Sequence, residues 1–116
     1  MSAVEFPKNS LENIEDMIAD LQATIARRAQ IIEQLKVELI RRLNLRYTPE
    51  DIHEDVSLLG AGLGLDSLDA LEIVLCVESC FHVRIPDDNI SVLRSINTIV
   101  DFVIKEQDRQ GKGSNP

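Results

Sequence analysis

From Asn9 to Leu45 the chain contains neither Gly nor Pro, and its apolar side chains return at alternating three- and four-residue steps: Leu11, Ile14, Ile18, Leu21, Ile25, then Ile32, Leu35 and Leu39. That spacing keeps them on one stripe of a helix, with the period of a coiled-coil seam. Only Arg28 breaks the series. Asn9 or Ser10 can cap the start, and Glu12 stands three residues after Asn9, as a capping-box acceptor should. The pattern predicts a helix of unusual length, or two helices meeting near Arg27-Arg28. Residues 1–8, with Pro7 and no period, read as a loose leader.

The segment Tyr47-Thr48-Pro49-Glu50-Asp51 ends that helix and opens a turn, with Thr48 placed to cap and Pro49 at the first helical position. The following loop, Ile52 to Leu65, holds Gly60, Gly62 and Gly64, three of the five glycines in the chain. Backbone flexibility is thereby expected just ahead of Asp66-Ser67. From Ser67 a helical pattern returns: Leu71, Val74, Leu75, Cys76, Val77 and Phe81 are apolar, while Asp69, Glu72 and Glu78 project elsewhere. Pro86 stops it. Asp87 to Leu93 reads as one short helical stretch, and Ser95 or Asn97 caps a last helix through Ile99, Phe102, Val103 and Ile104. Residues 107–116 (QDRQGKGSNP) are too poor in apolar groups to order themselves, which predicts a disordered tail. No strand alternation is convincing enough to build a sheet, so the predicted fold class is all-α.

Composition narrows this picture. A length of 116 residues gives room for one domain and an appendage. Aromatics are 3% and Trp is missing, so the core must be built from Leu, Ile and Val. Cys76 and Cys80 lie one helical turn apart in an apolar run, which suits reduced, packed thiols of a cytoplasmic protein better than a disulfide framework or a metal site. The chain has no apolar run of the roughly 20 residues a membrane span needs, and its start lacks a basic-then-apolar secretion pattern. A soluble protein without membrane insertion is expected.

The net charge of −8 is unevenly spread. From Met1 to Arg46 seven bases balance seven acids, whereas Tyr47 to Ile104 carries eleven acids against Arg84 and Arg94 alone. A negative surface concentrated in the second half repels nucleic acid and steers basic protein partners.

The stretch Gly64-Leu65-Asp66-Ser67-Leu68-Asp69-Ala70-Leu71-Glu72 resembles the phosphopantetheine attachment motif of acyl carrier proteins. Phe81-His82-Val83-Arg84-Ile85-Pro86-Asp87-Asp88 looks like the second-helix exit of that family, and Ser95 to Val103 looks like its last helix. With Ile31 to Leu45 as the first helix, the likeness covers about residues 30–106. A bare Asp-Ser-Leu triplet is a weak signal; the triplet after a glycine loop, opening an acidic helix, with Ile-Pro-Asp beyond, is a strong one. The resemblance implies a four-helix carrier bundle over residues 30–106, three main helices and one short, with residues 1–29 extending the first helix and 107–116 as the tail.

It also implies a mechanism without catalysis by this chain. A phosphopantetheinyl transferase would move 4'-phosphopantetheine from coenzyme A to Ser67, and the terminal thiol would hold acyl groups as thioesters for enzymes of fatty-acid or polyketide synthesis. The physics of a helix start agrees, because unpaired N–H groups and the positive end of the macrodipole tolerate a phosphodiester there. A nucleophilic serine would need a base and an orienting acid, and only His53 and His82 are on offer. The bland reading of Ser67 is a helix N-cap with no further role.

The family further implies a docking face on the second helix. Asp66, Asp69, Glu72 and Glu78 would meet Arg and Lys on partner enzymes, with Leu68, Leu71 and Leu75 giving apolar contact, although the same acids also fit a merely solvated face. The implied acyl pocket is Leu58, Leu59, Ala70, Val77 and Ile99. Gly60-Ala61-Gly62 and Ser79-Cys80 stand where many family members carry acids, which suggests a specialised carrier with dedicated partners. For residues 9–29 three roles stay open: self-association, docking to one cognate enzyme, or folding back on the bundle. An aminoacyl or peptidyl carrier, and an unmodified helical adaptor working through its N-terminus, are the alternative functions.

Overall fold

The computed structural model describes residues 8–113, with side chains from 11 to 111. It contains three α-helices, α1 (Lys8–Leu43), α2 (Ser67–Phe81) and α3 (Ile96–Gly113), with one-turn 3-10 segments at Pro49–Asp51 and Ile90–Arg94. Among the described residues there is no strand, only an isolated bridge between Leu59 and Leu65. The expected all-α bundle with a long first helix is what forms. Most of the predicted leader lies outside the described residues. Because α1 already runs at Lys8, neither Asn9 nor Ser10 is its cap.

The first helix is single and unbroken, 36 residues and so about 54 Å long. It ends where Asn44 takes a left-handed φ of 54° and Leu45 N–H reaches back to the Ile40 carbonyl at 3.0 Å, with Arg41 and Arg42 set favourably against the negative end of the helix dipole. Its C-terminal half is buried. Leu35 and Leu39 pack with Ile73, Cys76 and Val77 of α2, with Ile96, Ile99, Val100 and Val103 of α3, and with Ile52 and Leu58 of the long loop.

Arg27 and Arg28 mark where the bundle stops. Arg27 donates to Asp108 (2.8 Å) and Gln107 (2.9 Å), while Arg28 donates to Asp101 (2.7 Å) and Asn97 (2.8 Å), so both pin α1 to α3. The break in the apolar series is therefore a clamp between helices and not a joint within one. N-terminal to it, residues 11–26 are all exposed, so this segment does not fold back on the bundle. The projection explains a radius of gyration of 19.0 Å, where a compact chain of this length would have roughly 13 Å.

The expectation of a disordered tail from Gln107 is corrected as far as Gly113, because α3 continues to that residue. The reason lies outside the local sequence. Gln107 Nε2 donates to the Phe81 carbonyl (3.3 Å) and Gln110 Nε2 to the His82 carbonyl (3.1 Å), so the polar side chains cap the end of α2. Residues 114–116 lie outside the described residues. No helix among those described is long and apolar enough to cross a membrane.

Candidate functional site

Ahead of Ser67 the chain forms a loop tied by its own backbone. Leu58 N–H donates to the Arg94 carbonyl (2.9 Å), Leu63 N–H to Ser57 (2.9 Å), Leu65 N–H to Leu58 (3.2 Å) and Gly60 N–H to Leu65 (3.1 Å). Gly62 is needed for this closure, since a Cβ there would stand 1.7 Å from the Ser57 carbonyl oxygen. Gly64, at φ +77°, turns the chain into the helix through a conformation that L side chains rarely adopt. Gly62 and Gly64 thus serve a fastened turn, one by allowing a close backbone approach and the other by allowing a left-handed bend.

Three long-range contacts hold this loop against the helices. Lys36, a nearly buried cation of α1, pairs with Glu54. Asn97 N–H donates to the Glu54 carbonyl at 3.0 Å, and its side chain reaches Asp55. Burial of Leu58 completes the anchor.

Ser67 is exposed at the first position of α2. It is not the N-cap. Asp66 is, in extended geometry, with its Oδ1 accepting from Asp69 N–H (3.0 Å) while Asp69 Oδ2 accepts from Asp66 N–H (2.9 Å). This reciprocal pair removes the bland reading of Ser67 as a cap and leaves its hydroxyl without a hydrogen-bond partner among the described residues. The Asp69 N–H, the strongest influence on it, holds the Asp66 carboxyl below the ordinary carboxylate range. An exposed hydroxyl at the positive end of a 15-residue helix fits a phosphate-linked group. His82 stands at the far end of α2 and His53 is exposed on the loop, so the serine has no base oriented beside it.

The other predicted site residues separate into groups. Leu68, Leu71 and Leu75 are exposed on α2, at 76%, 58% and 49%, and Glu72 is half-buried beside them. Glu78 faces inward: its carboxylate accepts from Ile85 N–H at 2.8 Å and braces the exit loop. Of the implied acyl pocket, Leu58, Val77 and Ile99 are fully buried in the packed core, and Leu59 and Ala70 are half-buried. A separate cavity of about 130 Å³ opens between α2 and the short Ile90–Arg94 turn, lined by Leu71, Val74, Ile85, Pro86, Ile90 and Leu93 among others. None of the five lines it. Ile90, 67% exposed, extends the apolar face of α2; sequence periodicity missed it because it lies on a one-turn segment.

Cys76 is buried, and burial, the largest influence, pushes its thiol up to about 12, which keeps it neutral and inert. Cys80 is half-buried, 3.8 Å from the Arg42 guanidinium.

Comparison with known proteins agrees with this geometry. The family described as "Phosphopantetheine attachment site" matches residues 33–103. Over 73 residues, 63% of this chain, the sequence is 29% identical to a protein named acyl carrier protein from Sulfurovum sp., covering 93% of that protein. It is also 29% identical over 73 residues to the acyl carrier protein of Wolinella succinogenes, covering 92% of it. The match leaves most of the projecting half of α1 uncovered and centres on the fastened loop, α2 and the bundle around them. The chain therefore belongs to the acyl carrier family, proteins that bear a covalent 4'-phosphopantetheine group and serve enzymes without being enzymes themselves.

Proposed function

We propose that this chain carries acyl intermediates in the cytoplasm for fatty-acid or polyketide-type synthesis, with Ser67 as the residue that receives the arm. The observation that carries the assignment is the free, exposed hydroxyl of Ser67 between two aspartates that cap the helix in its stead. When attached, the arm supplies a thiol that holds acyl groups as thioesters. The chain's own residues present it: the closed loop and the Asp66–Asp69 box hold the start of α2 in one geometry, and the helix dipole favours the negative charge of the link.

The docking face of this reading is Asp66, Asp69 and Glu72 with Leu68, Leu71 and Leu75, extended by Ile90. Glu78 is left out because it stands at the far end of α2 from Ser67, where its carboxylate braces the exit loop. Exposed charge pairs contribute little individually, typically below about 1 kcal/mol, and chiefly raise association rates, which suits successive brief encounters. The cavity of about 130 Å³ beside Leu71 and Ile90 is comparable to one of roughly 150 Å³ that holds a benzene-sized ligand, so it would shelter a short segment of chain without opening the core.

Intact mass after incubation with coenzyme A and a broad-specificity phosphopantetheinyl transferase tests the assignment. The wild-type chain is expected to gain the mass of one arm and Ser67→Ala none. Loading of Ser67→Ala would overturn it. The thioester found on protein purified from its own source then decides between the fatty-acid and polyketide roles.

A further inference from the structure

The bundle leaves one apolar surface unused. Leu11, Ile14, Met17, Ile18, Leu21 and Ile25 are 49–67% exposed along the projecting half of α1, a stripe of about 21 Å from Leu11 to Ile25. Monomers seldom keep a continuous apolar strip of this kind in water. We propose that a second copy of this chain covers it, the two α1 helices packing antiparallel through residues 11–25 so that the carrier bundles sit at opposite ends.

Seam chemistry favours a like partner. Leu11, Ile18 and Ile25 occupy one core position of the heptad and Ile14 and Leu21 the other. The positions flanking that seam are Ser10, Glu15, Met17, Gln22, Thr24 and Ala29, with one charge among them. Pairing two copies therefore brings no like charges face to face, whereas a partner chosen by charge would find almost nothing to read at the rim.

Orientation follows from the bundle. The exposed stripe and the buried face formed by Ile31, Leu35 and Leu39 lie on neighbouring sides of α1, roughly 70° apart at 100° per residue. A parallel partner running along the stripe would collide, past Arg28, with the helices that cover Leu35 and Leu39. An antiparallel partner does not, because its own bundle begins beyond the N-terminal end of the first helix. In that arrangement Ile18 and Leu21 form the centre, and each Leu11 reaches the other copy between Ile25 and Arg28.

Charge leaves that choice to the bundles: Glu15 is the one acid flanking the seam, while Glu12, Asp16 and Asp20 fall on the outward positions of the heptad, and Arg27 and Arg28 are engaged by α3. The overlap is about two heptads, so association should be concentration-dependent, but the helices are already anchored by their bundles and little ordering cost remains.

Sedimentation equilibrium of the full chain tests the proposal independently of loading at Ser67. The mass is expected to rise from 13.0 kDa towards twice that value as concentration increases, and Ile18→Glu/Leu21→Glu is expected to hold 13.0 kDa throughout with unchanged helicity. Both replaced side chains are exposed, so the bundle is not at risk. A full chain that stays at 13.0 kDa at its highest soluble concentration would assign the stripe to a different partner and overturn the proposal, as would a charged variant that still dimerises. Orientation is read from Leu11→Cys on a Cys80→Ser background under mild oxidation: dimers without cross-links support the antiparallel arrangement, and a Leu11→Cys disulfide between copies overturns it.

Discussion

The two ends of α2 are held by different means. At the working end, Asp66 and Asp69 cap each other within four residues and the 57–65 loop closes on itself, so Ser67 is fixed in place without being covered. At the other end the last carbonyls, of Phe81 and His82, are capped by Gln107 and Gln110 from a helix 26 and 28 residues further along the chain. A site that must receive a large group needs its nearest fasteners to come from its own flanks; the distant braces here, from Lys36, Arg94 and Asn97, grip the loop ahead of Ser67 and leave the hydroxyl open. The closing end has no such demand, and a distant helix can sit directly upon it.

That contrast can be broken from either side. The largest effect is expected at the working end, where Gly62→Ala sets a Cβ 1.7 Å from the Ser57 carbonyl oxygen and forces the loop open. A loss of at least about 2 kcal/mol in urea denaturation is expected, with slower loading of Ser67. At the closing end, Gln107→Ala/Gln110→Ala removes two side-chain bonds to α2 and should cost about 1–3 kcal/mol, leaving the loading rate as it was. Amide exchange should quicken at the end of α2 and in residues 107–113, and protection that stayed unchanged would show that the extension orders itself.

Acid sharpens the comparison further. The Asp66 carboxyl titrates lower folded than unfolded, so its contribution is present above its unfolded value and is lost as pH falls through the folded one. Amide signals at the start of α2 should therefore fray in acid before those at Phe81, where neutral amides do the capping. Asp66→Ala should lower the melting temperature by a few degrees and abolish this difference. The smallest effect is expected at His82, which ends α2 at a left-handed φ of 57°. Replacing it with Gly relieves that conformation and should stabilise the chain by roughly 0.5–1 kcal/mol in the same urea measurement.

Much of the site was legible beforehand because its parts are local. The 3.6-residue pattern after Ser67, the glycines before it and the acids around it are neighbours in sequence, and they are neighbours in space. The sequence left capping open as the bland role for Ser67, because Ser and Asp both suit a cap and only backbone geometry shows that Asp66 fills it. Glu78 was placed on the docking face by its position along α2, whereas its carboxylate turns to the Ile85 N–H seven residues on. A polar run such as Gln107 to Gln110 carries no apolar signal, so its order could not be inferred without the carbonyls that receive it.

By itself the sequence determined that this protein is helical, that residues 9–45 are helix-forming and apolar along one stripe, and that Ser67 opens an acidic helix, since periodicity and turn chemistry act over a few residues. Tertiary structure alone decided which half of that stripe is buried, why Arg27 and Arg28 interrupt it, and how far α3 extends. Each of those outcomes depends on a partner many residues away, and one period of Leu and Ile looks the same whether a core covers it or water does.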